Sequence, residues 1–328
     1  MARYAKICAL SFAPVQKDEM EFSTERYKRK VIDQLSDHIG KAAEEKPDLI
    51  ILPEASNRPV TLTFAQRCLY YSQACGDVED AVSTLAKKYN TNIAFACVRE
   101  EKSPEDKEYP YRNSVIYFDR KGQTAGIYDK CFLVPTEHTV SKIGFGKIPD
   151  KLIELDFGSV ATAICFDMHD MTLMERYASL KPDLISFSSN FRATVWADVW
   201  AKRCNSYFAA ALGIELHREG RIINPFGDVL ATTDSKRYAV AKLNLDFRVI
   251  HEDNNQDWRT NKLADAAKKY GEDFNYTAGR GIGLSLIQSD IPDKTVDDVI
   301  KEFGIIETDE YFGEVRELRR KYFESLGK

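Results

Sequence analysis

No stretch of this sequence approaches the roughly 18 uncharged apolar residues that a membrane-spanning helix needs. The opening MARYAKICALSFAP has no basic segment leading into a long apolar run, so neither a span nor a secretory leader is expected. Histidine is scarce: the five residues do not cluster. The seven cysteines (Cys8, Cys68, Cys75, Cys97, Cys131, Cys165, Cys204) are odd in number, scattered, and form no Cys-x-x-Cys pair. That pattern argues against a structural zinc or any metal site and for reduced thiols in a cytoplasmic setting. An excess of basic charge is also missing. The net charge is −5, and the segment 251–328 carries 12 basic and 17 acidic residues, so the first 250 residues are balanced. With no basic patch, there is little electrostatic case for nucleic acid or an anionic membrane surface as a partner.

What remains is an ordinary globular composition, 44% hydrophobic and 30% charged, in a chain long enough for about two domains. Taken in order, Ala5 to Pro14 reads as a strand, Ser23 to Lys46 as a helix, and Asp48 to Leu52 as a short, wholly apolar strand covered on both faces. Helical patterns follow at Thr61 to Ser72 and Val78 to Tyr89, then a strand from Asn92 to Val98. Asn113 to Asp119 and Gln123 to Tyr128 form a hairpin about Arg120-Lys121-Gly122. Phe132 to Asp150, rich in Gly and Pro, reads as an irregular loop.

A second hairpin, Leu152 to Asp156 with Val160 to Cys165, leads to a polar elbow and a helix from Leu173 to Leu180, opened by a capping box at Thr172 and Glu175. Lys181-Pro182-Asp183-Leu184-Ile185 repeats Lys46-Pro47-Asp48-Leu49-Ile50, which suggests two similar α/β halves. Trp196 to Ala211 reads as a helix, Ile222 to Thr232 as a hairpin on Asn224-Pro225-Phe226-Gly227, and Ala239 to Leu245 as a last strand. Beyond it come a loop rich in Gly (Ala278 to Gly283) and two charged helical patterns, Val296 to Phe303 and Tyr311 to Phe323, the first opened by a capping box at Thr295 and Asp298. Helices separated by hairpins and short buried strands give an α/β layered domain. An acidic, partly helical arm follows, suited to packing on the body or on a second subunit.

Three strand ends present chemistry: Glu54, Lys130 and Cys165. A thiol needs a base to take its proton and a cation or a helix N-terminus to favour the anion, and a carbonyl under attack needs donors for its oxyanion. Each residue has a plainer reading: a solvated strand end for Glu54, a surface pair with Asp129 for Lys130, an inert core thiol for Cys165.

Their order and contexts resemble the nitrilase superfamily of carbon–nitrogen hydrolases. Leu52-Pro53-Glu54 is similar to its base motif, Tyr128-Asp129-Lys130 with Leu133, Pro135 and Glu137 to its lysine motif, and Ala163-Ile164-Cys165-Phe166-Asp167 to its nucleophile motif. Arg203 to Asn205 and Asn224-Pro225-Phe226-Gly227 are further matches, and the resemblance covers about residues 5 to 250. It implies an αββα four-layer sandwich over 1–250, usually dimerised, with 251–328 as an extension. It also implies cofactor-free hydrolysis through a thioacyl-enzyme.

In that scheme Glu54 is the base, Lys130 and the backbone N–H of Phe166 hold the oxyanion, and Glu137 orients Lys130. His138, His169, Asn190, Phe191, Arg192 and Trp196 are candidates to line the pocket, and a Cys165–His169 dyad would be a rival. Asp129 stands where the family often has a basic residue before the lysine, and Met171-Thr172 where it commonly has Pro-Glu. Cys165-Phe166-Asp167 in place of the Cys-Trp-Glu of true nitrilases points to a small amide or N-carbamoyl substrate. Nitrile hydrolysis, acyl transfer to an amine, or a silent scaffold using the tail are the alternatives.

Overall fold

The protein is described here by a computed structural model, which covers residues 3–101, 107–192, 194–213, 220–256, 260–279 and 283–327. Two compact units emerge: Ala5–Leu243, and Asn244–Lys328 together with the N-terminal residues through Tyr4.

In order, the first unit comprises β1 (Tyr4–Leu10), α1 (Thr24–Ala43), β2 (Leu49–Ile51), α2 (Phe64–Tyr89), β3 (Asn92–Glu100), β4 (Tyr111–Phe118), β5 (Thr124–Asp129) and the short α3 (Pro135–Thr139). Then follow β6 (Ile153–Leu155), β7 (Gly158–Ile164), α4 (Met171–Leu180), β8 (Leu184–Ser189), α5 (Thr194–Cys204), β9 (Tyr207–Leu212), β10 (Arg221–Ile223), β11 (Val229–Thr232) and β12 (Tyr238–Asn244). They build two six-stranded sheets, ordered β12-β1-β2-β3-β4-β5 and β11-β10-β9-β8-β7-β6. β1, β2 and β3 are parallel, as are β7, β8 and β9, and hairpins extend both sheets.

The inner faces meet: Tyr117 Oη and Thr162 Oγ1 lie 2.8 Å apart, and Ser188 Oγ donates to Leu52 O at 2.8 Å. On the outer face of the first sheet, α1 lays Val31, Leu35, Ile39 and Ala42 beside Val78, Val82 and Leu85 of α2. Truncating one such fully buried leucine or isoleucine to alanine costs about 2–5 kcal/mol. The second sheet is covered by α4 and α5, where Tyr177 meets Trp200 edge-on. This is the αββα sandwich.

The five-residue repeat has a structural meaning. Lys46, just past the end of α1, and Lys181, the cap of α4, both take the left-handed conformation (φ 51° and 53°), and each following segment enters a central strand, β2 or β8, flanked by parallel neighbours. Three local expectations fail. The helices foreseen at 61–72 and 78–89 are one helix, α2. Its buried stripe of Tyr70, Tyr71, Ala74, Val78 and Val82 runs straight past Gly76, whose missing side chain faces open space. The helix foreseen over 196–211 stops at Cys204, and Asn205 turns left-handed (φ 50°). Tyr207–Leu212 is a strand buried on both faces, so it shows no alternation to separate it from a helix. α4 starts at Met171, because Asp170 rather than Thr172 caps it, accepting from Thr172 N and Leu173 N.

The second unit contains β13 (Phe247–His251), α6 (Lys262–Tyr270), β14 (Phe274–Gly279), β15 (Leu284–Ser289), α7 (Val296–Phe303) and α8 (Thr308–Ser325). The helices expected here are present, with the Thr295–Asp298 capping box on α7. The segment is not only helical, however: an antiparallel sheet β13-β15-β14 packs Ile250, Phe274 and Ile287 against Leu263, Ala266, Val296 and Val299. Of the expected Gly-rich loop, Ala278 and Gly279 close β14, and residues 280–282 lie outside the described residues. Among the described residues no helix is long and apolar enough to cross a membrane.

Candidate active site

Glu54, Lys130, Cys165 and Asn190 follow the carboxyl ends of β2, β5, β7 and β8, so the two packed sheets bring their strand ends together at one edge. Glu54 is buried just past β2. Lys130 continues the β5 ladder by one residue, its N–H donating to Asn113 O at 2.8 Å, and Gly146 N–H donates to Lys130 O at 2.8 Å. Pleating separates the neighbours Asp129 and Lys130. Asp129 is gripped by Arg99 at 2.9 and 3.0 Å and by Ser114, while Lys130 points inward at 1% exposure. The aspartate before the lysine is thus neutralised away from the site.

Inside, Lys130 Nζ donates to Glu54 Oε1 at 3.0 Å and to both oxygens of Glu137 at 2.9 and 3.1 Å. Glu137 sits on α3, with Oε2 also accepting from Val134 N at 2.8 Å. The loop expected over 132–150 therefore contains a helical turn that fixes a carboxylate. Asn113 on β4 donates from Nδ2 to Glu54 Oε1 and Glu137 Oε1, both at 2.9 Å. Its buried Oδ1 has no hydrogen-bond partner among the described residues. Asn190 holds the other oxygen of Glu54, from its backbone N at 3.2 Å and its Nδ2 at 3.1 Å. A Cβ on Gly213 would lie 2.1 Å from Asn190 Oδ1, so a side chain there would displace this clamp.

Cys165 occupies the elbow between β7 and a single turn, Cys165–His169, in the left-handed region at φ 49°. A non-glycine residue there costs roughly 1–3 kcal/mol, and the surroundings must enforce it. Asp167 does so. It is fully buried and accepts from Ile164 N, Phe132 N and Tyr128 Oη, each at 2.8 Å, tying the strand that ends at Cys165 to the residues flanking Lys130. Burial pushes its carboxyl up to about 7 against these donors.

Electrostatics fix the resting protonation. Burial alone would raise the Glu54 carboxyl, but the Lys130 ammonium, Asn113 and the Cys165 thiol outweigh it and hold it below the ordinary range. Burial would likewise lower Lys130, but the charges of Glu54 and Glu137 raise it. Burial, reinforced by Glu54 and only partly offset by Lys130, pushes the Cys165 thiol up to about 12. The expected preference for a thiolate at the elbow therefore fails. The resting pair is a neutral thiol beside an ionised glutamate.

Of the other candidates, His169, on the turn that begins at Cys165, lies among aromatic rings: 5.1 Å from Phe166, 5.7 Å from Phe191 and 5.7 Å from Trp196. Arg192 follows, half-buried. His138 joins a different stack, between Tyr109 at 3.9 Å and Phe145 at 4.8 Å, with Nδ1 2.9 Å from Ile143 O. Asn113 and Gly213 were not singled out from sequence, and Asp167 only as a member of the nucleophile motif, without this bracing role. Asn113 gave a signal, a polar residue sharing the inner face of β4 with Val115 and Tyr117; Gly213 gave none.

The sequence model of the carbon-nitrogen hydrolase family matches residues 22–250. Among curated proteins, a probable nitrilase of Schizosaccharomyces pombe is 25% identical over 233 residues, covering 66% of this chain and 82% of that one. A chloroplastic omega-amidase of Arabidopsis thaliana is 21% identical over 249 residues, covering 69% of this chain and 66% of that one. Among solved structures, the amidase from Nesterenkonia sp. AN1 superposes with a TM-score of 0.62 at 13% identity, covering 82% of this chain and 97% of that one. The buried carboxylate–ammonium pair beside an elbow cysteine, the αββα frame that carries it, and the family match across most of the chain lead to one conclusion: this protein belongs to the carbon-nitrogen hydrolase family, within the nitrilase superfamily.

Proposed function

We propose that this hydrolase cleaves the non-peptide C–N bond of a small amide or N-carbamoyl compound through a thioacyl-enzyme on Cys165. The observation that carries the reading is the buried chain Glu54–Lys130–Glu137 next to a neutral thiol. Glu54, ionised and beside the thiol, takes its proton as Sγ attacks the carbonyl carbon. The tetrahedral oxyanion is held by Lys130 Nζ and the Phe166 N–H. The C–N bond then breaks, and the amine or ammonia departs with the proton from Glu54. Glu54 next deprotonates a water, which attacks the thioester, and the departing sulfur recovers the proton. Glu137 and Asn113 keep Lys130 and Glu54 in register.

The substrate is a small molecule, and the reaction requires no cofactor. The amidase names among the relatives support the amide reading. Dimerisation and a cytoplasmic location belong to the same proposal. The test is intact-protein mass spectrometry with a panel of short amides, N-carbamoyl amino acids and nitriles, alongside Cys165→Ala. Turnover or a trapped acyl adduct that vanishes in the variant supports the reading. Turnover that survives the substitution overturns it, and acylation by nitriles alone moves the substrate to that class.

A further inference from the structure

Asn113 meets both carboxylates of the site, yet half of its carboxamide is unaccounted for. Both of its N–H bonds are used: Nδ2 donates to Glu54 Oε1 and to Glu137 Oε1, each at 2.9 Å. That fixes the orientation of the group, because the reversed carboxamide would set Oδ1 against two carboxylate oxygens. Oδ1 is then a bare acceptor. The residue is 3% exposed, and Oδ1 has no hydrogen-bond partner among the described residues. A buried carbonyl oxygen without a donor carries a desolvation cost, and beside reacting groups it marks a place where a donor arrives.

The backbone holds the residue in place. Asn113 stands in β4 opposite Val98 of β3, and its own carbonyl accepts from Lys130 N at 2.8 Å. Oδ1 shares one small planar group with the nitrogen that holds the base, so it is carried to the site with it. Its neighbours offer it nothing: Glu54 and Glu137 are acceptors, and the Lys130 ammonium is turned to those same two carboxylates. The remaining source of a donor is what enters the site.

We propose that Asn113 Oδ1 accepts the N–H of the scissile amide, so that the site selects substrates whose leaving nitrogen carries at least one hydrogen. The inference rests on the thioacyl reading above and narrows its substrate class. As Sγ adds to the carbonyl carbon, the nitrogen lone pair becomes basic. With its N–H held by Oδ1, that lone pair is turned to Glu54, which passes the thiol's proton to it as the C–N bond breaks. A primary or secondary amide satisfies the acceptor. A tertiary amide or a nitrile brings no N–H and leaves it bare.

The experiment compares kcat/KM, which reads the steps through acylation, for primary amides of propionyl to hexanoyl groups, their N,N-dimethyl amides and the corresponding nitriles. Wild type is set beside Asn113→Leu, which keeps the volume but removes both polar atoms, and Glu137→Gln, which disturbs the same bridge but keeps Oδ1. Circular dichroism confirms folding. Wild type should prefer the primary amide, and in Asn113→Leu that preference over the dimethyl amide should shrink by at least about tenfold while all rates fall. Glu137→Gln should lower the rates and keep the preference. A wild type that takes the dimethyl amide as readily as the primary one overturns the proposal without any variant. So does a preference unchanged in Asn113→Leu, or lost equally in Glu137→Gln; in each case the thioacyl reading stands. Nitriles turned over in preference to amides, and no longer so in Cys165→Ala, have the same consequence. Amide turnover that survives Cys165→Ala overturns instead the reading on which the proposal rests.

Discussion

Replacing Lys130 by methionine removes a buried cation that faces two carboxylates, at 3.0 Å from Glu54 and 2.9 Å from Glu137. Methionine keeps most of the volume, so the change is electrostatic. Breaking a buried ion pair by removing one partner costs about 3–5 kcal/mol. For a unit of this size that lowers the melting temperature by roughly 6–20 °C. The pH dependence is the sharper signature. In the wild type, Glu54 is held below its ordinary value of 4.5, so its contribution to stability is present above that value and is lost as pH falls through the folded one.

Without Lys130, burial and the nearby Glu137 raise Glu54 instead. A raised carboxyl contributes fully below its unfolded pKa and loses that contribution as pH rises through the folded value. The cost of Lys130→Met should therefore be smallest near about pH 5 and largest near about pH 8. Urea unfolding of both proteins at the two pH values measures it. A loss equal at both, or one below about 1 kcal/mol, would refute the idea that Lys130 compensates buried carboxylate charge.

The clamp on Glu54 is open to similar tests. Asn190→Asp places a carboxylate against Glu54 Oε2, and the acid limb of the kcat/KM profile should move up by on the order of one pH unit; an unmoved limb means Asn190 does not set the state of the base. Gly213→Ala drives a methyl into Asn190 Oδ1 and should lower kcat with KM little changed, a split that a general loss of folding would not produce. Glu54→Gln should abolish turnover yet make Cys165 easier to ionise, since the glutamate helps to push the thiol up. Ultraviolet absorbance of the thiolate against pH, with Cys165→Ala as baseline, reads this directly, and a thiol harder to ionise in the variant would contradict it.

The sequence by itself determined the frame and singled out the three positions, Glu54, Lys130 and Cys165, that the structure brings to one edge. Short apolar strands such as Leu49–Ile51, amphipathic helices such as α1, and the repeated Lys-Pro-Asp-Leu-Ile entries are local patterns, and locality is what a chain displays. The motif contexts of Glu54, Lys130 and Cys165 were legible for the same reason. The strand Tyr207–Leu212 was not, because burial on both faces erases the alternation that marks a strand. Nor was the sheet of the C-terminal unit, where charged helices at its end dominated the composition.

Only the tertiary structure decided which groups meet. Asn113 and Glu54 are 59 residues apart, and Asn190 and Glu54 are 136 apart, yet each pair shares a hydrogen bond. The protonation state of Cys165 was likewise beyond the sequence. A helix N-terminus nearby argued for a thiolate, but the depth of burial and an ionised Glu54 at its side keep the proton on sulfur, and both are properties of the packed sheets rather than of the motif.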